Sequence, residues 1–258
     1  MPITGPETLL YEKKDRIVTI TINRPERMNA LSFELMQRLN EAWVRFRDEE
    51  DAWVCILTAV GDRAFSAGAD LKDEAERTAK GIPRPKVPQF YGVECWKPKI
   101  AAINGLALAG GFLLAMDSDI RIGAEHAELG ITEARWNMMA RWVAPLTRYF
   151  TLGHALEIAL WGDGRISAQR GYEMGFINRV VPGGKLMDEA MSWAERMLSL
   201  APRAVRYFKE TIYRGHAMTF EEGMAFANAL QQNLAGMEDS IEGPKAFAEK
   251  RRPQFKNR

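Results

Sequence analysis

The sequence predicts an α/β protein whose first half alternates strands with helices and whose last third is helical. Three observations predict it. RIVTITIN (16–23) alternates β-branched residues with a period of two, as a half-buried strand does. WVCILTAV (53–60) and KIAAIN (99–104) are short, mostly apolar runs bounded by turn signals, as buried strands are. Beyond Ala144 the apolar residues recur at helical spacing, punctuated at 162–164 and 181–184.

Each element follows in order. Asn23-Arg24-Pro25 ends the first strand, because proline cannot continue a ladder. Ser32 is placed to cap a helix whose Leu35, Leu39, Trp43 and Phe46 fall on one face. After the strand at 53–60, GDRAFSAGAD (61–70) reads as a glycine-punctuated loop. Residues 73–98 are charged and then carry Pro83, Pro85, Pro88 and Pro98, which predicts an irregular excursion. The strand at 99–104 leads to ALAGGFLLA (107–115), a helix start, and DIRIGAE (119–125) is a further strand. Thr219 and Glu222 have capping-box spacing. A chain of 258 residues suits one or two domains, and the pattern divides it into a core over 1–187 and a helical region over 188–258.

Composition excludes several function classes. The formal net charge is +1, which gives no electrostatic footprint for nucleic acid or an anionic membrane. The longest apolar run, 106–116, is too short to span a bilayer, and the first residues lack the basic and apolar regions of a secretory signal. Cys55 and Cys95 are the two cysteines, without CxxC spacing, so a reduced, cytoplasmic protein with no metal site is expected. No lysine with serine or threonine follows the Gly110-Gly111 pair, no GxGxxG follows a strand, and no GxSxG is present. His126, His154 and His216 lie far apart and read as structural or surface groups.

Two loop–helix junctions remain, AFSAGADLK (64–72) and ALAGGFLLA (107–115). At such junctions backbone N–H groups are free and the helix dipole adds partial positive charge. Small side chains let a ligand approach closely. Two such N–H groups aimed at one point make an oxyanion hole. Taken singly, each junction reads better as tight packing or C-capping glycines, and Glu133 in ELGITEARW (128–136) reads as a solvated first-turn glutamate.

Taken together, the ordered segments resemble the enoyl-CoA hydratase/isomerase, or crotonase, superfamily. They are IVTITINRPERMNAL (17–31), AFSAGADLK, KIAAINGLALAGGFLLAMDSDIRIGAE (99–125), ISAQRGYEMGFINRVVP (166–182) and EGPKAFAEKRRPQF (242–255). The resemblance implies a spiral of ββα repeats with a C-terminal helical trimerisation region, and a homotrimer or dimer of trimers. It implies an acyl-CoA thioester substrate, with coenzyme A as part of that substrate and no separate cofactor. By motif position, the amides of Ala69 and Gly110 would hold the thioester oxygen. Ala67, Gly68, Asp70, Leu71 and Lys72 would lie along the coenzyme, and Lys72 and Arg27 would meet its phosphates. Phe247 and Lys250 fall in the stretch that closes over the coenzyme, in some members from a neighbouring subunit.

The resemblance also separates two chemistries. Two-glutamate hydratases carry one acid three residues after the oxyanion-hole glycine, where this chain has Leu113. The second acid ends a GxxE segment, matched by Gly130-Ile131-Thr132-Glu133. One carboxylate is lost and one kept, which favours isomerase-type proton transfer by Glu133. Hydration, C–C hydrolysis, decarboxylation and acyl-CoA binding without catalysis are the alternatives. Asp117, Asp70, Asp73 and Glu94 are candidate replacement acids. Trp136, Met138, Met139 and Trp142 would form a bulky apolar wall, or simply helix packing.

Overall fold

The strand at Ile17–Ile22 (β2) has an antiparallel partner that the sequence hides, Leu9–Lys14 (β1), paired from Leu9↔Ile22 to Lys14↔Ile17. β1 reads LLYEKK, two aliphatic residues followed by mostly charged ones, so no period shows. The computed structural model describes residues 7–82, 92–162 and 164–258. Helix α1 (Phe33–Asp48) starts where the Ser32 hydroxyl accepts from the Leu35 amide at 3.3 Å, and it buries Leu35, Leu39, Trp43 and Phe46 as expected.

The chain then repeats one pattern. The first unit is β3 (Val54–Ala59), β4 (Ala64–Ser66) and α2 (Leu71–Ala79). The second is β5 (Lys99–Ile103), β6 (Leu106–Leu108) and α3 (Gly110–Met116). The third is β7 (Ile120–Ala124) and β8 (Glu128–Gly130), followed by a single 3-10 turn, Glu133–Trp136, where the others have a helix. After α4 (Leu152–Leu160) come β9 (Ile166–Ser167), α5 (Ala168–Glu173) and β10 (Arg179–Val181). Four helices follow: α6 (Leu186–Leu198), α7 (Pro202–Gly215), α8 (Phe220–Gln232) and α9 (Glu238–Ala248).

The first strand of each unit enters one sheet and the second enters another. The larger sheet has the order β1-β2-β3-β5-β7-β10 and the smaller β4-β6-β8-β9. β3, β5 and β7 run parallel, and so do β4, β6 and β8. This is the spiral of ββα repeats that the resemblance implied.

Three sequence expectations need correction. Residues 73–79 continue a helix, Leu71–Ala79, rather than forming irregular chain, because Asp70 caps it by accepting from the Asp73 amide at 3.2 Å. Pro83, Pro85 and Pro88 lie outside the described residues, while the Pro98 carbonyl accepts from the Cys55 amide at 3.0 Å. The loop expected at 61–70 contains β4, and the region beyond Ala144 contains β9 and β10. These strands are two or three residues long and carry no readable period.

The core lies between the sheets and their helices. α6 sets Leu186, Ala190 and Ala194 on β3, β5 and β7, so helix and sheet share one interior. Phe112 of α3 is fully buried and stacks on Phe176 with ring centres 4.8 Å apart, and Phe150 stacks on Phe176 at 5.0 Å. Burying a phenylalanine is worth about 2–3 kcal/mol, so this cluster anchors the short helix α3. The capping box at Thr219 and Glu222 is formed as its spacing predicted. Among the described residues no helix is long and apolar enough to cross a membrane.

Candidate active site

The turns that follow β4, β6 and β8 come together because their strands are in register. Ser66 pairs with Ala107, and Ala107 with Leu129. Three residues beyond these stand Ala69, Gly110 and Thr132, with Glu133 next. One repeated position thus delivers all three groups to one place. Ala69, Gly110, Leu113 and Glu133 line a single cavity of about 250 Å³.

The Ala69 amide is singled out by what surrounds it. The Ala67 amide donates to Met28 O at 3.0 Å, the Gly68 amide to Ser66 Oγ at 3.2 Å, and the Asp70 amide to Leu31 O at 3.1 Å. Asn29 holds the same loop through its side-chain amide, which donates to Ala64 O at 2.6 Å and Val60 O at 3.1 Å. Within this clamp the Ala69 amide alone has no acceptor among the described residues. The Gly110 amide is the first of α3 and likewise has none, whereas the Ala109 amide donates to Gly130 O at 2.9 Å. Ala109 has φ 51° and ψ −117°, a conformation that L-residues avoid, so the turn presenting Gly110 is strained.

The two loops touch through their glycines. A Cβ on Gly68 would fall 3.2 Å from the Gly110 nitrogen and 2.7 Å from the Ala109 Cβ. A Cβ on Gly111 would fall 2.2 Å from Ser66 O, an overlap no side chain tolerates. The second glycine of the pair therefore serves contact between loops, and the first serves the cavity.

Glu133 lines the same cavity from the third turn. Its Oε2 is buried and has no hydrogen-bond partner. Burial holds the carboxyl above the ordinary glutamate range, outweighing the backbone amides of Glu133 and Thr132 and the Trp142 side chain, which favour the charged form. A partly desolvated carboxylate with one oxygen left free suits proton transfer. Leu113 is 4% exposed and lines the cavity, at the position where the resemblance implies a second acid in two-glutamate hydratases. Trp136, Met138, Met139 and Trp142 also line the cavity, so the apolar wall expected from the sequence is present.

The other candidate acids stand elsewhere. Asp117 accepts from Lys99 Nζ at 2.6 Å and from the Gly92 amide at 3.1 Å. Asp70 is occupied by Arg24, at 3.0 Å, as well as by its capping bond. Asp73 accepts from the Phe33 amide and Glu94 pairs with Arg214. Among the described residues Glu133 is the one carboxylate lining the cavity.

The residues expected along the coenzyme divide. Ala67 and Leu71 line the cavity, and Gly68 is buried beneath it. Asp70 does not line it, because its carboxylate is tied to Arg24. Lys72 and Arg27 are exposed and lie outside the lining. Phe247, 87% exposed, and Lys250 belong to the C-terminal arm and do not line the cavity within one chain. Sequence reading passed over Leu31, Met36 and Arg141, which do line it. Met36 and Arg141 carried no motif, and only the fold brings them in.

No histidine lines the cavity among the described residues, and the His126 Nε2 lies 2.9 Å from Asp62 O and 3.1 Å from Asn104 O. No group of three His, Cys, Asp or Glu side chains among the described residues is arranged to hold a metal ion.

Known proteins share this sequence pattern and fold. A family model described as enoyl-CoA hydratase/isomerase matches residues 12–258. (E)-benzylidenesuccinyl-CoA hydratase from Thauera aromatica is 35% identical, with 99% of each chain covered. Carnitinyl-CoA dehydratase from Salmonella agona is 34% identical, covering 98% of this chain and 99% of the relative. The crystal structure of an enoyl-CoA hydratase from Mycobacterium tuberculosis H37Rv superposes with a TM-score of 0.90 at 31% identity, covering 97% of this chain and 99% of that one. A match over nearly the whole chain, with the same fold, makes this protein an enzyme of the enoyl-CoA hydratase/isomerase family.

Proposed function

We propose that the enzyme moves a proton at the α-carbon of an acyl-CoA thioester, through an enolate held by the amides of Ala69 and Gly110. Glu133 is its acid–base group. The observation that carries this reading is the cavity itself, lined by two residues whose amides are unbonded, by Leu113, and by one carboxylate with a buried, unpartnered oxygen. An α-proton beside a thioester is weakly acidic. Its removal puts charge on the carbonyl oxygen, and one preorganised donor there is worth about 10²–10³ in rate. In a 1,3-shift, Glu133 takes the proton from C2 of a β,γ-enoyl thioester and returns it to C4, leaving the double bond between C2 and C3. One carboxylate suffices for both transfers. Coenzyme A is part of the substrate, and Lys72 and Arg27, both exposed, would meet its phosphates. Exposed Phe208, Ile212 and Phe220 support assembly through the C-terminal helices, which would let Phe247 and Lys250 serve a neighbouring subunit.

The names of the relatives favour a second reading, addition or removal of water. It would use the same donors, with Glu133 both activating water and supplying the α-proton. The Thauera relative is named for a benzylidene-bearing acyl group, and the wall of Trp136, Met138, Met139 and Trp142 offers room of that bulky, apolar kind here. Incubation of β,γ- and α,β-enoyl-CoA esters in D₂O and in H₂¹⁸O tests both readings. Deuterium at the α-carbon without ¹⁸O supports the proton shift, and ¹⁸O in the product supports hydration. Full activity in Glu133→Gln would remove Glu133 from either reaction.

A further inference from the structure

The cavity holds one cation among the described residues. Arg141 lines it, at the start of the 3-10 turn Arg141–Val143 just beyond the apolar wall. Among the nearby arginines, Arg165 pairs with Glu128 at 3.1 Å and Arg170 with Glu157 at 3.2 Å, and neither lines the cavity. Arg141 has no ion-pair partner, side-chain hydrogen bond or aromatic ring among the described residues. Glu133 is not its counter-ion. No ion pair joins them, and the groups acting on the Glu133 carboxyl include no cation.

Little else in the reaction calls for this charge. The two amides serve the thioester oxygen. The coenzyme's phosphates are separated from the thioester by the whole pantetheine arm, while this cavity of about 250 Å³ encloses the reacting centre. The anion that fits is carried by the acyl group. A guanidinium presents a planar fork of donors that matches a carboxylate in two parallel hydrogen bonds.

We infer that Arg141 binds a carboxylate on the acyl chain, so that the substrates are acyl-CoA thioesters bearing a free acid as well as an apolar body. This rests on the enolate reading only for which end of the ligand occupies the cavity. Arg141 is exposed in the free enzyme, and an acyl group that covers it without offering a carboxylate leaves the guanidinium desolvated and unpaired, so the site discriminates against such an analogue.

The test compares glutaryl-CoA with pentanoyl-CoA, which differ by a carboxylate in place of a methyl group. α-Proton exchange in D₂O gives kcat/KM for each. The wild type should favour glutaryl-CoA by about tenfold to a hundredfold. In Arg141→Gln the ratio should fall to about one, and Arg141→Lys should retain part of it. A wild-type ratio of one or less overturns the inference. So does a ratio unchanged in Arg141→Gln while both rates fall together, which would assign Arg141 to the coenzyme or to the fold. Calorimetry separates this from the enolate reading. If neither ester exchanges but glutaryl-CoA binds more tightly, and Arg141→Gln abolishes the difference, the carboxylate site stands and the enolate fails. If both esters exchange equally, the enolate stands and the carboxylate site fails.

Discussion

On the donor side of the cavity, every amide around Ala69 is bonded and two backbones meet at Gly68 and Gly111. On the acid side, residues 134–139 are all exposed and a single 3-10 turn stands where the earlier repeats carry helices. Trp136 is 58% exposed and Met139 77% exposed. The contrast teaches where this fold holds its geometry fixed and where it tolerates change. Binding an oxyanion needs two donors set to within a fraction of an ångström. Fitting an acyl group needs only volume and the right polarity.

The largest expected effect falls on the acid. Glu133→Gln should lower α-proton exchange by about 10³-fold or more while the chain folds normally. Its stability should depart from wild type in a pH-dependent way. The native carboxyl is raised, so its contribution is fully present below the ordinary glutamate pKa and is lost as pH rises through the native value. Glu133→Gln should therefore match wild type in acid and be the more stable of the two at neutral pH, as thermal melts across that range would show. Equal melts throughout would mean that Glu133 is as well solvated as any surface glutamate.

Next comes the donor side. Gly111→Ala sets a methyl group 2.2 Å from Ser66 O, where backbone must move. A loss of about 3 kcal/mol or more is expected from denaturant melts, with exchange activity falling along with it. A mild effect would show that the two loops are not held as closely as the contrast requires.

A smaller effect is expected from restoring a second acid. Leu113→Glu should raise the ratio of ¹⁸O incorporation to proton shift by about tenfold, at a cost of about 2 kcal/mol for placing a carboxyl in an apolar position. The smallest belongs to the exposed wall. Trp136→Ala should change stability by less than about 1 kcal/mol, yet alter KM severalfold among acyl chains of different bulk. A large stability loss there would erase the distinction between the two sides.

The legible parts of the sequence were those with a long period or an ordered motif. β2, β3, β5 and β7 each run five or six residues, long enough for burial to write a pattern. β4, β8, β9 and β10 run two or three, and pairing from neighbours decides them. Ala69, Gly110 and Glu133 were located by motif resemblance, and the fold then assembled them in one cavity. Asp117, equally plausible as a letter, is taken by Lys99, a residue 18 positions away whose partner no local reading could name. Arg141 drew no notice because an arginine in an irregular turn looks like ordinary surface until the cavity it lines is known.

The clamp around Ala69 has a consequence in time. Its bonds join Met28 to Ala67, Leu31 to Gly68 and Asp70, and Arg24 to Asp70, spanning 37 to 46 residues of chain. The sheet beside it closes spans of the same length, 37 residues from Ile17 to Val54 and 44 from Cys55 to Lys99, so closing the donor turn costs no more loop entropy than building the sheet, and the turn can form as soon as the sheet does.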